Sequence, residues 1–186
     1  MKKTSHASFW SGLALGVVGG LILQRLGDRE GRMPNLARWQ QIWSETQGTI
    51  DAAVFAADVQ RCYDDLYAQR PRFSQRVLQE HLDDNILPGL AVYQVLRETG
   101  LPQDDALDHV GMLFATTVQP ARRWLARLGR WPFFFPAFRR LIQLVMRLEF
   151  PPEGWRTTWI ENSAKLVAFD IHRCFYLDML TTYDAT

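Results

Sequence analysis

From Pro34 onward, apolar residues recur every three or four positions between prolines and glycines, the spacing of helices that each bury one face. Leu36, Trp39, Ile42 and Trp43 form the first stripe, which runs toward Gly48. Asp51 stands as the N-cap of a second, with Val54, Phe55, Val59, Cys62, Tyr63, Leu66 and Tyr67, ending at Arg70-Pro71. A third covers Phe73 to Leu82, and Asp83-Asp84-Asn85 is expected to break it. Ile86-Leu87-Pro88 restarts the pattern, and Gly100 closes it. Pro102 opens a helix to about Leu128, with Asp104 and Asp105 in its first turn and Pro120 expected to kink or break it. Pro132 to Glu149 gives another helix, cut at Pro136. After the loop Pro151-Pro152-Glu153-Gly154, Trp155 to about Leu180 reads as one long closing helix. The expected fold is all-α: a bundle of about six or seven helices over residues 33–186, behind a single N-terminal transmembrane helix and linker over residues 1–32.

A chain of 186 residues that is 47% hydrophobic and 22% charged buries a core and is not disordered. Two cysteines, Cys62 and Cys174, exclude a disulfide-dense scaffold and a four-thiolate zinc site. A net charge of +1 argues against nucleic acid as partner. The charge is segregated: net +3 over residues 1–32, −6 over 33–108, +6 over 109–150 and −2 over 151–186.

Residues 7–23 form an apolar run of 17, near the short limit for crossing a bilayer core. Trp10 lies in it, and Gly12, Gly16 and Gly20 make a small-residue stripe through which a homodimer or a membrane protein partner would pack. No small-x-small cleavage site follows Leu23, so the run is expected to stay as an anchor, with the domain on the cytoplasmic face.

The sequence holds no phosphate-binding glycine loop, no nucleophile elbow and no His-Glu-x-x-His. His81 with Asp83 and Asp84, and Asp105 and Asp108 with His109, read as acidic helix ends at the surface; no metal and no cofactor is expected. The densest cluster of reactive side chains is Phe169-Asp170-Ile171-His172-Arg173-Cys174-Phe175-Tyr176. On a helix, Val167, Ile171, Cys174 and Asp178 share a face and Asp170 pairs with Arg173. Chemistry alone leaves Cys174 with two readings, a small buried apolar group or a thiol activated by Arg173.

Two segments carry a resemblance. Residues 85–100, Asn-Ile-Leu-Pro-Gly-Leu-Ala-Val-Tyr-Gln-Val-Leu-Arg-Glu-Thr-Gly, resemble the central helix of the L-2-amino-thiazoline-4-carboxylic acid hydrolase family. Residues 169–176 are similar to that family's later Phe-x-x-x-Arg-Cys-x-Tyr segment. The resemblance implies a helical domain over about residues 35–186 and hydrolytic opening of a small cyclic C–N bond. It implies Cys174 as nucleophile or substrate contact, Arg173 as carboxylate holder, and His172 or Tyr176 as proton carriers. Asn85, Tyr93 and Asp170 are the substrate-binding candidates. The family continues past this segment with a Gly-Leu-Pro-Glu-like turn and a further Cys and Asp. Here the sequence ends at Thr186, the expectation for a divergent or shortened member.

Arginines alternate with large aromatics over residues 122–150, with Arg130, Trp131, Phe134 and Arg139 typical. One reading is a helix pair whose Phe134, Phe138, Leu141, Ile142 and Val145 face the core while the arginines pair with the acidic segment. The others are contact with membrane lipid, and stacking on nucleic acid, against which scarce lysine and a near-zero net charge speak. The sequence thus leaves open a small-molecule hydrolase or a non-catalytic module binding a ligand, a lipid surface or a membrane complex.

Overall fold

The computed structural model describes residues 33–46 and 51–183. The anchor expected over residues 1–32, with Trp10, Gly12, Gly16 and Gly20, lies outside them. In order come α1 (Leu36–Thr46), α2 (Ala52–Gln69), α3 (Arg76–His81), α4 (Leu87–Glu98), α5 (Gln103–Leu128), α6 (Phe134–Glu149), β1 (Trp155–Asn162), β2 (Val167–Cys174) and α7 (Phe175–Thr182). Among the described residues no helix is long and apolar enough to cross a membrane.

Asp51 starts α2 as its spacing requires, its Oδ1 accepting from Ala53 N at 2.7 Å and Val54 N at 3.2 Å. The buried face of α2, Phe55, Val59 and Tyr63, packs on α4, where Leu87, Leu90, Ala91 and Leu96 are buried. Helix α1 closes one side, with Trp43 stacked on Phe55 at 4.0 Å and Trp39 edge-on to Phe114 of α5 at 5.1 Å. Gly100, at φ +87°, ends the α4 run in the left-handed conformation that glycine tolerates.

Three breaks expected from the sequence take another form. Helix α5 continues through Pro120. Proline has no N–H, so the Thr116 carbonyl one turn back loses its helical donor. Arg38 of α1 supplies one instead, at 2.6 Å. Pro136 falls in the first turn of α6, where an N–H is not needed, and the helix is not cut. Asp83-Asp84-Asn85 does not end the helix either: Leu82–Ile86 is a π-helical turn joining α3 to α4.

The closing helix is the largest correction, and the fold is mostly helical with a small two-stranded sheet rather than all-α. β1 and β2 pair antiparallel, Trp155 opposite Cys174 and Asn162 opposite Val167. Thr157, Thr158, Ile160, Val167 and Ile171 are β-branched and suit extended backbone. Ser163 closes the turn, its Oγ accepting from Lys165 N and Leu166 N at 3.1 Å each. The alternation is hidden because register shifts at Arg156/Thr157 and at Trp159/Glu161 interrupt it.

Gly154 seats the hairpin. A Cβ there would lie 2.7 Å from Leu78 Cδ2 and 3.2 Å from Phe175 Cβ. Gly154→Ala should therefore cost about 1–3 kcal/mol in urea denaturation by overpacking, with the helical circular dichroism unchanged. Unaltered stability would show that the hairpin does not sit against Leu78.

Candidate active site

His81 is the last residue of α3 and is fully buried. Its Nε2 lies 2.7 Å from the Glu149 carbonyl at the end of α6, and its Nδ1 lies 2.9 Å from Tyr176 Oη in α7. A carbonyl only accepts, so Nε2 carries the hydrogen, and in the neutral ring Nδ1 accepts from the tyrosine hydroxyl. Trp155 meets the imidazole edge-on at 4.9 Å, and Phe150 lies 5.7 Å away. Three elements distant in sequence thus hold one ring.

The Tyr176 hydroxyl points inward, and burial raises its pKa far above the ordinary tyrosine value. Cys174, Asp84 and Glu149 add to the rise in that order. Tyr176 therefore stays a neutral proton donor at any physiological pH. Cys174 ends β2 and is the N-cap residue of α7, half-buried and free of any disulfide. The Tyr176 hydroxyl thus ties an oriented imidazole to α7, and Cys174 stands two residues before it at the N-cap of that helix.

The π turn adds polar groups beside them. Asp83 Oδ1 lies 2.8 Å from Nε of the buried Arg70, an ion pair whose angle is not that of an in-line hydrogen bond. The Arg70 guanidinium lies 3.2 Å from the centre of the Tyr67 ring. The Tyr63 hydroxyl donates to the Asp83 carbonyl at 3.3 Å. Burial, followed by Asp83, raises the Tyr63 pKa. Asn85 is half-buried, and its amide Nδ2 is buried without an acceptor among the described residues.

Of the residues picked out by sequence, Cys174 and Tyr176 belong to this centre, and Asn85 sits in the adjoining π turn. The strand geometry separates the others. Arg173 and Cys174 are successive on a strand and point to opposite sides. Exposed Arg173 donates from Nε to Asp178 Oδ2 at 2.8 Å and from Nη1 to the Glu153 carbonyl at 3.0 Å, so it does not pair with Asp170. His172 is exposed and hydrogen-bonds Thr158 Oγ1 at 3.1 Å. Asp170 is exposed opposite Thr158. Tyr93 packs half-buried against the core. Nor do Val167, Ile171, Cys174 and Asp178 share a helix face. His81 and Arg70 were missed: a histidine beside two aspartates looks like a surface helix end until the chain around Glu149 and Tyr176 folds over it.

The other cysteine has different surroundings. Cys62 opens on a groove of about 280 Å³ lined by Asp58, Asp65 and Glu98, with Arg61 on its rim. Its thiol donates to Gln94 Oε1 at 3.1 Å. Burial first, then Glu98 and Asp65, push it up to about 11, so it holds its proton and is a poor nucleophile. No family model, curated protein or solved structure matches the chain.

The raised tyrosines make stability fall in alkali. An unfolded tyrosine releases its proton near 10.0, whereas folded Tyr176 keeps it, so the unfolded state binds fewer protons above that pH. The stabilisation is complete below pH 10.0 and is lost as pH rises further; Tyr63 and Tyr183 act in the same sense. Tyr176→Phe should be about 1–3 kcal/mol less stable at neutral pH, because His81 Nδ1 loses its donor. Its urea midpoint should decline less steeply than the native one between about pH 10 and 11. Parallel declines would separate Tyr176 from the alkaline transition.

Proposed function

We propose that this chain is a small-molecule hydrolase that opens a cyclic amidine such as a thiazoline carboxylate, with Cys174 as nucleophile. One observation carries the reading. The two segments that resemble the thiazoline-carboxylate hydrolases lie far apart in sequence, yet they meet where the π turn, which contains Asn85, packs on α7, which contains Tyr176. His81, just before the first segment, hydrogen-bonds Tyr176 in the second.

The chemistry follows from the groups present. Cys174 Sγ bonds to the ring carbon that bears the amino group, and the C=N electron pair moves to the ring nitrogen. That nitrogen takes the proton of the Tyr176 hydroxyl, which turns from His81 Nδ1 to donate it and regains one from the thiol. His81 Nδ1 holds the hydroxyl in line, and its orientation is fixed in turn by the Glu149 carbonyl. Collapse of the adduct breaks the ring C–N bond as the amino group passes a proton to the departing nitrogen and becomes C=N; water then adds to that carbon, and Cys174 Sγ leaves with a proton from the water. The buried amide hydrogens of Asn85 serve the substrate carboxylate, for which no protein acceptor competes among the described residues. In this reading residues 1–32 keep the catalyst at a membrane.

Incubation of the purified full-length chain with 2-amino-thiazoline-4-carboxylate, followed by mass spectrometry, tests the proposal. Ring-opened product is expected. Cys174→Ala should abolish it, and Tyr176→Phe should slow it by about a hundredfold or more. His172→Ala, at an exposed position, should leave the rate unchanged. Turnover that survives Cys174→Ala, or no turnover by the native chain, would refute the reading.

A further inference from the structure

The C-terminal half of α5, the turn after it and α6 have a composition unlike the rest. Between Asp108 and Glu149 there is no carboxylate, and there are seven arginines, at 122, 123, 127, 130, 139, 140 and 147. None of the seven forms an ion pair among the described residues. Asp58, Asp83 and Glu80 of the acidic segment pair instead with Arg61, Arg70 and Arg76 of their own region. The helix-pair reading, in which the belt neutralises the acidic segment, therefore loses its charge partners.

Its apolar side chains are also only partly covered. At the tip of the α5/α6 pair Trp124 is 61% exposed, Trp131 67% and Phe133 79%. On α6 only Ile142 and Val145 are buried, whereas Leu141, Leu144 and Leu148 are exposed. Those three share a stripe at helical spacing, and Arg140 and Arg147 stand one turn to either side of Leu144. Rings and leucines that face water beside uncompensated arginines match a surface where hydrocarbon lies just beneath a layer of anions.

We infer that this helical pair docks on an anionic lipid bilayer, with Trp131 and Phe133 at headgroup depth and the arginines on lipid phosphates. The sequence places a bilayer within reach. Nine residues separate Leu23, the end of the apolar run, from Met33, and nine residues span at most about 30 Å. The inference is independent of the hydrolase reading.

Hydrogen exchange on the full chain, incorporated into nanodiscs of phosphatidylcholine with or without phosphatidylglycerol, tests it. Amide exchange over residues 127–135 should slow several-fold in the anionic discs alone. The slowing should vanish at about 0.5 M salt. It should also be absent when Arg122, Arg123, Arg127 and Arg130 are all replaced by Gln. Should that variant not fold, Trp131→Ser with Phe133→Ser makes the same test. Equal exchange in the two kinds of disc would overturn the inference. So would protection in detergent that grows with protein concentration, which would assign the face to a second copy of the chain.

Discussion

A fully buried imidazole needs partners for both nitrogens, and leaving either unmet costs about 1–3 kcal/mol. His81 finds its partners 68 and 95 residues further along the chain, at Glu149 and Tyr176. That requirement fixes where α6 must end and where α7 must begin. Trp155 packs on the same ring and on Phe175, so the hairpin between them has to start and finish at one place. The tight seat of Gly154 under Leu78 is part of the same junction. Cys174 and Tyr176 flank that junction because the hairpin returns to it.

The π turn that follows His81 serves the same end. A regular helix would carry Leu82–Ile86 around with ordinary spacing; the wider turn brings Asp83 to Arg70 and to the Tyr63 hydroxyl while the helix continues into α4. A buried arginine is tolerated because it meets the half-buried Asp83. The π turn, α3 and α7 thus form a polar layer at one end of an otherwise apolar core.

Much of the helical half was legible in the sequence because local signals agreed with the tertiary answer. The Asp51 cap, the stripe of Phe55, Val59 and Tyr63, and the Gly100 stop all act within one or two turns. The hairpin was not legible, since two register shifts erase the alternation that would announce strands. The prolines misled for a related reason. Whether Pro120 breaks a helix depends on Arg38, which lies 78 residues from the carbonyl it rescues. Within the site, Cys174, Tyr176 and Asn85 stood in segments that composition or resemblance drew attention to. His81 did not, because the two groups that meet its nitrogens, at Glu149 and Tyr176, lie far along the chain. Arg173 and His172 drew notice through their nearness to Cys174 in sequence, and strand geometry turns Arg173 to the opposite side and leaves His172 in solvent.

The tautomer of His81 is the most direct measure of the junction. Nitrogen-15 spectra of the imidazole at neutral pH should show hydrogen on Nε2 and a bare, hydrogen-bonded Nδ1, and Tyr176→Phe should shift the Nδ1 resonance. A ring with hydrogen on Nδ1, or one whose spectrum ignores the loss of the Tyr176 hydroxyl, would contradict the account.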